Sequence, residues 1–360
     1  MKPDDLIRDP VFQLNLLLWM AKEQPKDHWR VRPVFCEAGF SILYIEQPFR
    51  FPVVTSQAIK ASPLAISFAP EPDLLLARAG NGKALYFEAK ANSFGLGSST
   101  CEQARGHLIA VGPAFSETYP PLNALLCYVL PDAARPEMGL CLGQLLAELE
   151  AAGLKPGMHS VHGLEVAKGD LAYRWDDAFS AHVGMTGGSA VVLKDMAEDT
   201  DPSPLLLVYT DEDCPTPDMQ SFYRRAMLDQ VRARLLCDLH AVEAGGLYQV
   251  SVDQLLKRTT EGIFDYLASK RQKSVRGLVR TNVLVPICKY WEAKLPGCVS
   301  WKDGMFTVRW ADESEKDQLL DWLEDRSTRF PDDKPREDPW LIPPDGLQSE
   351  GPLKPECPEA

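Results

Sequence analysis

The chain has 360 residues, 45% of them hydrophobic and 25% charged, which is enough apolar material for two ordinary cores. A net charge of −13 excludes a protein that coats nucleic acid through bulk charge. Between Lys257 and Lys302, however, ten Lys/Arg stand against three Asp/Glu, a local +7 that leaves −20 for the remainder.

Nine cysteines without a CxxC pair argue against a zinc ribbon and for reduced thiols. The acidic N-terminus does not read as a secretory leader. Residues 11–21 are too short to span a membrane and contain Gln13 and Asn15. The expectation is a cytoplasmic protein with no membrane partner.

In chain order, Asp9-Pro10 reads as a helix cap followed by proline at the first helical position, opening a buried helix to about residue 23. Residues 29–51 are β-branched and aromatic, contain Glu37 and Glu46, and fit strand or helix equally. A short strand is expected at 65–68. Strands at 73–78 and 84–90 follow, joined through Asn81-Gly82, a hairpin signal. Ser99 to Glu102 reads as a capping box for a helix to about residue 111. A strand at 123–130, a helix at 138–152 and a hairpin within 160–175 complete an α/β pattern, which ends near 200–204.

Beyond that point a strand is expected at 205–209, and a helix capped by Thr216 at 216–243. A second capping box at Ser251 and Gln254 opens a helix to about 267. Helices at 275–284 and 286–295 are separated by Pro286, and a hairpin turns at Asp303-Gly304. The expected division is 1–200, 205–330 and a disordered tail at 331–360 with eight prolines and eight acidic residues.

The first hairpin carries the chemistry. With Asn81-Gly82 as a two-residue turn, Asp73 lies opposite Lys90 and Leu75 opposite Glu88. Asp73, Glu88 and Lys90 then emerge on one face, and Leu85, Phe87 and Ala89 on the other. Two carboxylates beside an amine are suited to holding a hard divalent cation and serving phosphodiester hydrolysis.

Pro72-Asp73, fourteen residues, then Glu88-Ala89-Lys90 resembles the signature of the PD-(D/E)XK, or restriction-endonuclease-like, nucleases. The resemblance covers roughly residues 1–135. It implies a central mixed sheet flanked by helices, Mg²⁺ (with Mn²⁺ as substitute) on Asp73 and Glu88, and Lys90 serving the attacking water. It also implies a further glutamate, Glu37 or in its place Glu46, and a helical glutamine, matched by Gln103 with His107 one turn later. The implied activity is DNA cleavage, with defence against foreign DNA as one setting. The rivals are a non-cleaving DNA-binding regulator or scaffold, and an RNA-directed or toxin-like nuclease. A nuclease without an evident sequence filter needs restraint, which points to a regulatory protein partner or a homo-oligomer.

Residues 251–310 read as three helices and a hairpin, an order that resembles a winged helix. Lys270, Arg271, Lys273, Arg276 and Arg280 are then candidate phosphate contacts, and Lys302 a wing contact. An ordinary helical domain with a solvated basic face fits the same residues. His159 and His162 lack a third ligand nearby in sequence, and Gly80 to Lys83 lacks the spacing of a phosphate loop.

Overall fold

Asp9 accepts a hydrogen bond from the Val11 backbone N–H at 3.0 Å, and Pro10 takes the first helical position, so the long apolar helix begins where its sequence dictates. In this computed structural model, residues 1–25, 29–209, 217–243 and 245–324 are described. Thr216 and the 331–360 tail lie outside the described residues. The chain divides into two compact units, 1–205 with 266–268, and 206–265 with the residues from 269 onward.

The first unit runs α1 (Pro3–Leu6), α2 (Pro10–Ala21), α3 (Val34–Glu37), β1 (Phe40–Ile45), α4 (Val53–Ala61), β2 (Leu74–Arg78) and β3 (Lys83–Ala89). It continues with α5 (Ser99–Ala110), α6 (Pro113–Thr118), β4 (Asn123–Pro131), α7 (Arg135–Ala151), β5 (His159–Ala167), β6 (Asp170–Arg174), α8 (Asp177–Val183) and β7 (Ser189–Leu193). Its seven strands lie side by side in chain order in one mixed sheet. β3, β4 and β5 are parallel, and the other neighbours are antiparallel. The parallel pairs need crossovers, supplied by α5 with α6 and by α7. This is an α/β unit with helices against its sheet.

The sheet is buried on both faces. Tyr86, Leu126 and Tyr128 pack with Leu108, Met138, Leu142 and Leu145 of the crossover helices. On the opposite face Phe87 meets Phe35 of α3 at 5.1 Å between ring centroids, and Phe35 meets Tyr173 at 5.6 Å. Continuous apolar runs in β3 and β4 reflect this double burial.

The β2–β3 hairpin differs from the expected register. Arg78 pairs with Lys83 and Leu75 with Tyr86, so residues 79–82 form a four-residue loop, not a two-residue turn. Gly80 and Gly82 both have positive φ, at 91° and 66°. The Asn81 side chain accepts from the Lys83 N–H at 3.3 Å, tying the loop to the strand start. The displacement is two residues. Because side chains alternate with period two, no side chain changes face.

Residues 65–68 are not a strand. Pro63, Pro70 and Pro72 flank them, and the Ser67 N–H bonds to the Glu102 carbonyl of α5 at 3.0 Å, away from the sheet. Gly106 makes that approach possible, since a Cβ there would stand 2.8 Å from the Ser67 oxygen. The N-cap of α5 is Ser98, not Ser99, and its side chain makes no capping bond. Residues 205–209 are buried but form no strand.

The second unit runs α9 (Pro217–His240), β8 (Leu247–Ser251), α10 (Val252–Thr259), α11 (Ser269–Val279), α12 (Val285–Lys294), β9 (Val299–Lys302), β10 (Met305–Arg309) and α13 (Glu313–Glu324). Its sheet has the order β8-β10-β9. β9 and β10 turn at Asp303 and Gly304, both with positive φ, as the sequence requires. Ser251 and Gln254 form the full reciprocal capping box. Ser251→Ala is expected to cost about 1 kcal/mol, read as a lower midpoint in urea unfolding.

Two expectations fail here. α10 stops at Thr259, eight residues short, because Glu261 and Gly262 take positive φ and reverse the chain. Pro286 does not separate two helices. A π-turn over Arg280–Leu284 joins α11 to α12 with helical dihedrals on both sides, and this wider turn accommodates the missing proline N–H. Among the described residues no helix is long and apolar enough to cross a membrane.

Candidate active site

Glu88 and Lys90 stand at the carboxyl end of β3, beside the parallel strand β4, a position where α/β sheets commonly hold ligands. Asp73 immediately precedes β2, and its backbone N–H bonds to the Phe87 carbonyl at 3.1 Å, extending the ladder by one step. The paired register ends with Leu74 opposite Phe87, so Asp73 lies beside the Phe87–Glu88 end of β3 and not opposite Lys90, where it was expected.

The three side chains belong to one electrostatic group. Lys90 Nζ donates to Glu88 Oε1 at 2.6 Å. Asp73 Oδ2 accepts from the Ala89 N–H at 2.5 Å, which anchors its carboxylate across the strand pair. Burial alone pulls the Lys90 ammonium down. Glu88, Asp73 and the Glu88 hydrogen bond outweigh that effect and raise it above its ordinary value.

Beneath Glu88 lies a buried polar stack. Tyr86, two residues earlier and so on the same face, meets His107 Nδ1 of α5 through its hydroxyl at 2.8 Å. Burial and the charge of Glu88 push the Tyr86 phenol far up, so it stays protonated and can donate. Burial pulls His107 below its ordinary value against the opposing pull of Glu88, and Lys90 lowers it further. A neutral His107 accepting at Nδ1 carries its proton on Nε2, which stands 3.6 Å from Glu88 Oε2. That is too long for a hydrogen bond. Glu88 Oε2 is buried and has no hydrogen-bond partner. A buried polar oxygen left without a hydrogen bond costs free energy, even though Lys90 meets the other oxygen of the same carboxyl group.

Gln13, inside the apolar α2, is fully buried and donates to the Lys90 carbonyl at 3.0 Å and to the Ile7 carbonyl at 2.7 Å. It fixes the backbone on which the lysine is carried. Tyr128, paired with Glu88 across the β3–β4 ladder, closes the site on that side. The sequence flagged neither residue in this role. The available signals were an amide in an otherwise apolar helix, and a tyrosine in a buried strand.

The structure does not bring every candidate here. Glu37 pairs with Arg32 at 3.2 Å, at the end of α3, whose Phe35 packs on the sheet face away from Glu88. Glu46 is nearer. It is buried just after β1, and its N–H bonds to the Asp73 carbonyl at 3.3 Å. Even so, among the described residues no group of three or more His, Cys, Asp or Glu converges to hold a metal ion. Gln103 is exposed, one turn outward from His107 on the same helix face, and makes no hydrogen bond to the acidic pair.

In the second unit Lys270, Lys273 and Arg280 are exposed, and Lys302 is exposed beside the β9–β10 turn. Arg271 is half-buried. Arg276 is committed elsewhere. It holds Asp253 through two bonds, at 2.5 and 3.1 Å, and lies over the Phe264 ring.

Two carboxylates, a lysine and an unsatisfied buried oxygen are hard-oxygen chemistry, suited to Mg²⁺, which binds through one or two carboxylates together with water and phosphate. They are not a zinc donor set. No family model matches the chain, and no curated protein or solved structure matches it.

Proposed function

We propose that the first unit is a Mg²⁺-dependent nuclease of the restriction-endonuclease-like kind, acting on DNA. The observation that carries this reading is the one-face grouping of Asp73, Glu88 and Lys90, with Glu88 Oε2 buried and without a hydrogen-bond partner. Asp73 and Glu88 would hold the ion, with Mn²⁺ as a substitute. When bound, the ion supplies a lower pKa for its water and charge stabilisation at the scissile phosphate.

The rest falls to the chain itself. The Ala89 N–H and the β2–β3 ladder fix Asp73. Lys90 is already a donor to a carboxylate, so its role is to orient an oxygen nucleophile and stabilise anionic charge, not to remove a proton. Gln13 holds the lysine backbone. Gln103, at the exposed edge of α5, is a candidate for water or phosphate contact.

The second unit would place the protein on DNA. Its order α9-β8-α10-α11-α12-β9-β10, with the sheet order β8-β10-β9, supports a winged-helix reading, α11 with α12 being the groove helix and β9–β10 the wing.

Linear and supercoiled DNA incubated with the full chain should be cut in Mg²⁺ and spared in EDTA. Asp73→Ala and Lys90→Ala should each remain inactive. Binding without cleavage in both Mg²⁺ and Mn²⁺ would instead favour a non-cutting DNA-binding protein, and preferential cleavage of RNA would move the substrate assignment. For duplex binding, Lys273→Gln should weaken affinity uniformly across sequences and lower the salt slope by about one. Arg276→Gln should leave that slope unchanged, because Arg276 is already held by Asp253.

A further inference from the structure

The second unit contains a cavity of about 500 Å³ along α11 that a groove-reading helix does not require. Lys270, Lys273 and Ser274 of α11 line it, with Thr281 from the π-turn, Arg224 from α9 and the ring of Tyr209. Three cations from two separate elements therefore converge, and no carboxylate is among the described residues lining the space. Neither Arg224 nor Lys273 makes an ion pair among the described residues, and both are exposed. Gly277 forms part of the wall, and a Cβ placed there would meet nothing within 4 Å.

Arg224 and Lys273, which come from different helices and have no ion pair among the described residues, repel one another across the concavity, and a multiply charged anion offsets that cost more fully than water does. The hydroxyls of Ser274 and Thr281 offer neutral donors. Tyr209, Val275 and Leu278 supply apolar wall, so the space suits a ligand with a phosphate at one end and a flat, less polar body at the other. Its size lies in the range of small-molecule sites and exceeds what inorganic phosphate fills.

We infer that this cavity seats the phosphate of a nucleotide, either a free nucleoside 5′-monophosphate or the phosphorylated end of a strand. It shares Lys270 and Lys273 with the duplex reading but needs neither the duplex nor the cleavage site.

The test is calorimetric titration of the full chain in EDTA with AMP, UMP, adenosine, inorganic phosphate, and one oligonucleotide with a 5′-phosphate or a 5′-hydroxyl. AMP and UMP should bind about tenfold or more tightly than adenosine, and more tightly than inorganic phosphate. Arg224→Gln and Lys273→Gln should each weaken AMP about tenfold or more. Gly277→Glu, which places a carboxylate in the cavity, should abolish binding, while Gly277→Ala should bind like the parent. An oligonucleotide whose 5′-phosphate form binds more tightly than both its 5′-hydroxyl form and AMP identifies a strand end as the source, and no gain from the 5′-phosphate identifies the free nucleotide. Equal binding of AMP and adenosine, of AMP and inorganic phosphate, or of parent and Gly277→Glu overturns the inference. Loss of duplex binding with AMP binding intact would count against the duplex reading alone.

Discussion

Glu88→Gln is expected to remove Mg²⁺-dependent cleavage by about a thousandfold or more, while leaving the fold in place. The amide keeps the volume of the carboxylate in a site that is 5% exposed, so no cavity opens. Its oxygen can still accept from Lys90. What is lost is the anionic oxygen that would face the ion, an effect worth several kcal/mol in a metal-assisted hydrolysis, and each 1.4 kcal/mol is about tenfold in rate.

Lys90→Met should behave differently. It leaves the buried Glu88 carboxylate without its cation, and stripping one partner from a buried pair costs about 3–5 kcal/mol. That variant should lose both activity and stability. The double variant Glu88→Gln/Lys90→Met should regain much of the stability and none of the activity. Urea unfolding and a cleavage time course on the same four proteins separate the ion pair as a structural device from the acid as a functional one. Cleavage by Glu88→Gln within tenfold of the parent would end the site assignment.

Stability should also fall steeply in acid, and His162 is the main single cause. Its ring is fully buried, 4.6 Å from Phe179 between centroids, with Nδ1 bonded to the Tyr173 hydroxyl and Nε2 without a partner. Burial pulls its pKa down to about 3, against the attraction of Asp176 and with help from Arg135. The unfolded chain, with histidine near 6.5, takes up the proton first. Its contribution is therefore complete above about pH 6.5 and is lost progressively as pH drops toward 3. Within that window the slope reaches about 1.4 kcal/mol per pH unit.

His107, His159 and His182 are lowered by burial too and add in the same direction. Replacing His162 and Tyr173 together by phenylalanine removes both polar partners without orphaning either. That double variant should flatten the stability curve between pH 4 and 6 by about one proton's worth of slope. An acid limb as steep as the parent's would clear His162 of the role.

The face of the sheet on which Asp73, Glu88 and Lys90 emerge was legible, because alternation is insensitive to an error of two residues in pairing. The pairing itself was not. Asn81-Gly82 reads as a two-residue turn, yet Gly80 and Gly82 both take positive φ and allow a longer loop, a choice made by the packing around Gly82. Glu37 follows from the resemblance alone, and nothing local shows that Phe35 directs α3 to the far face. The stack of Tyr86 and His107 depends on a crossover helix landing over β3, a long-range contact that no short window contains. Capping boxes were half legible. At Ser251 the motif closes on itself, whereas at Ser99 the helix begins one residue earlier.

The π-turn at Arg280–Leu284 sets the phase of the long helix. A residue spent there without the usual advance rotates everything downstream by roughly 100° relative to an unbroken α-helical spiral. The lysine-bearing side of α11 and the aromatic side of α12, where Tyr290 stacks on Trp322 at 4.6 Å, are thus indexed to each other by that one residue. Deleting it would restore a regular spiral and turn one of the two sides away from its neighbours. Insertions and deletions should therefore be tolerated far less at 280–284 than their partly exposed position would indicate.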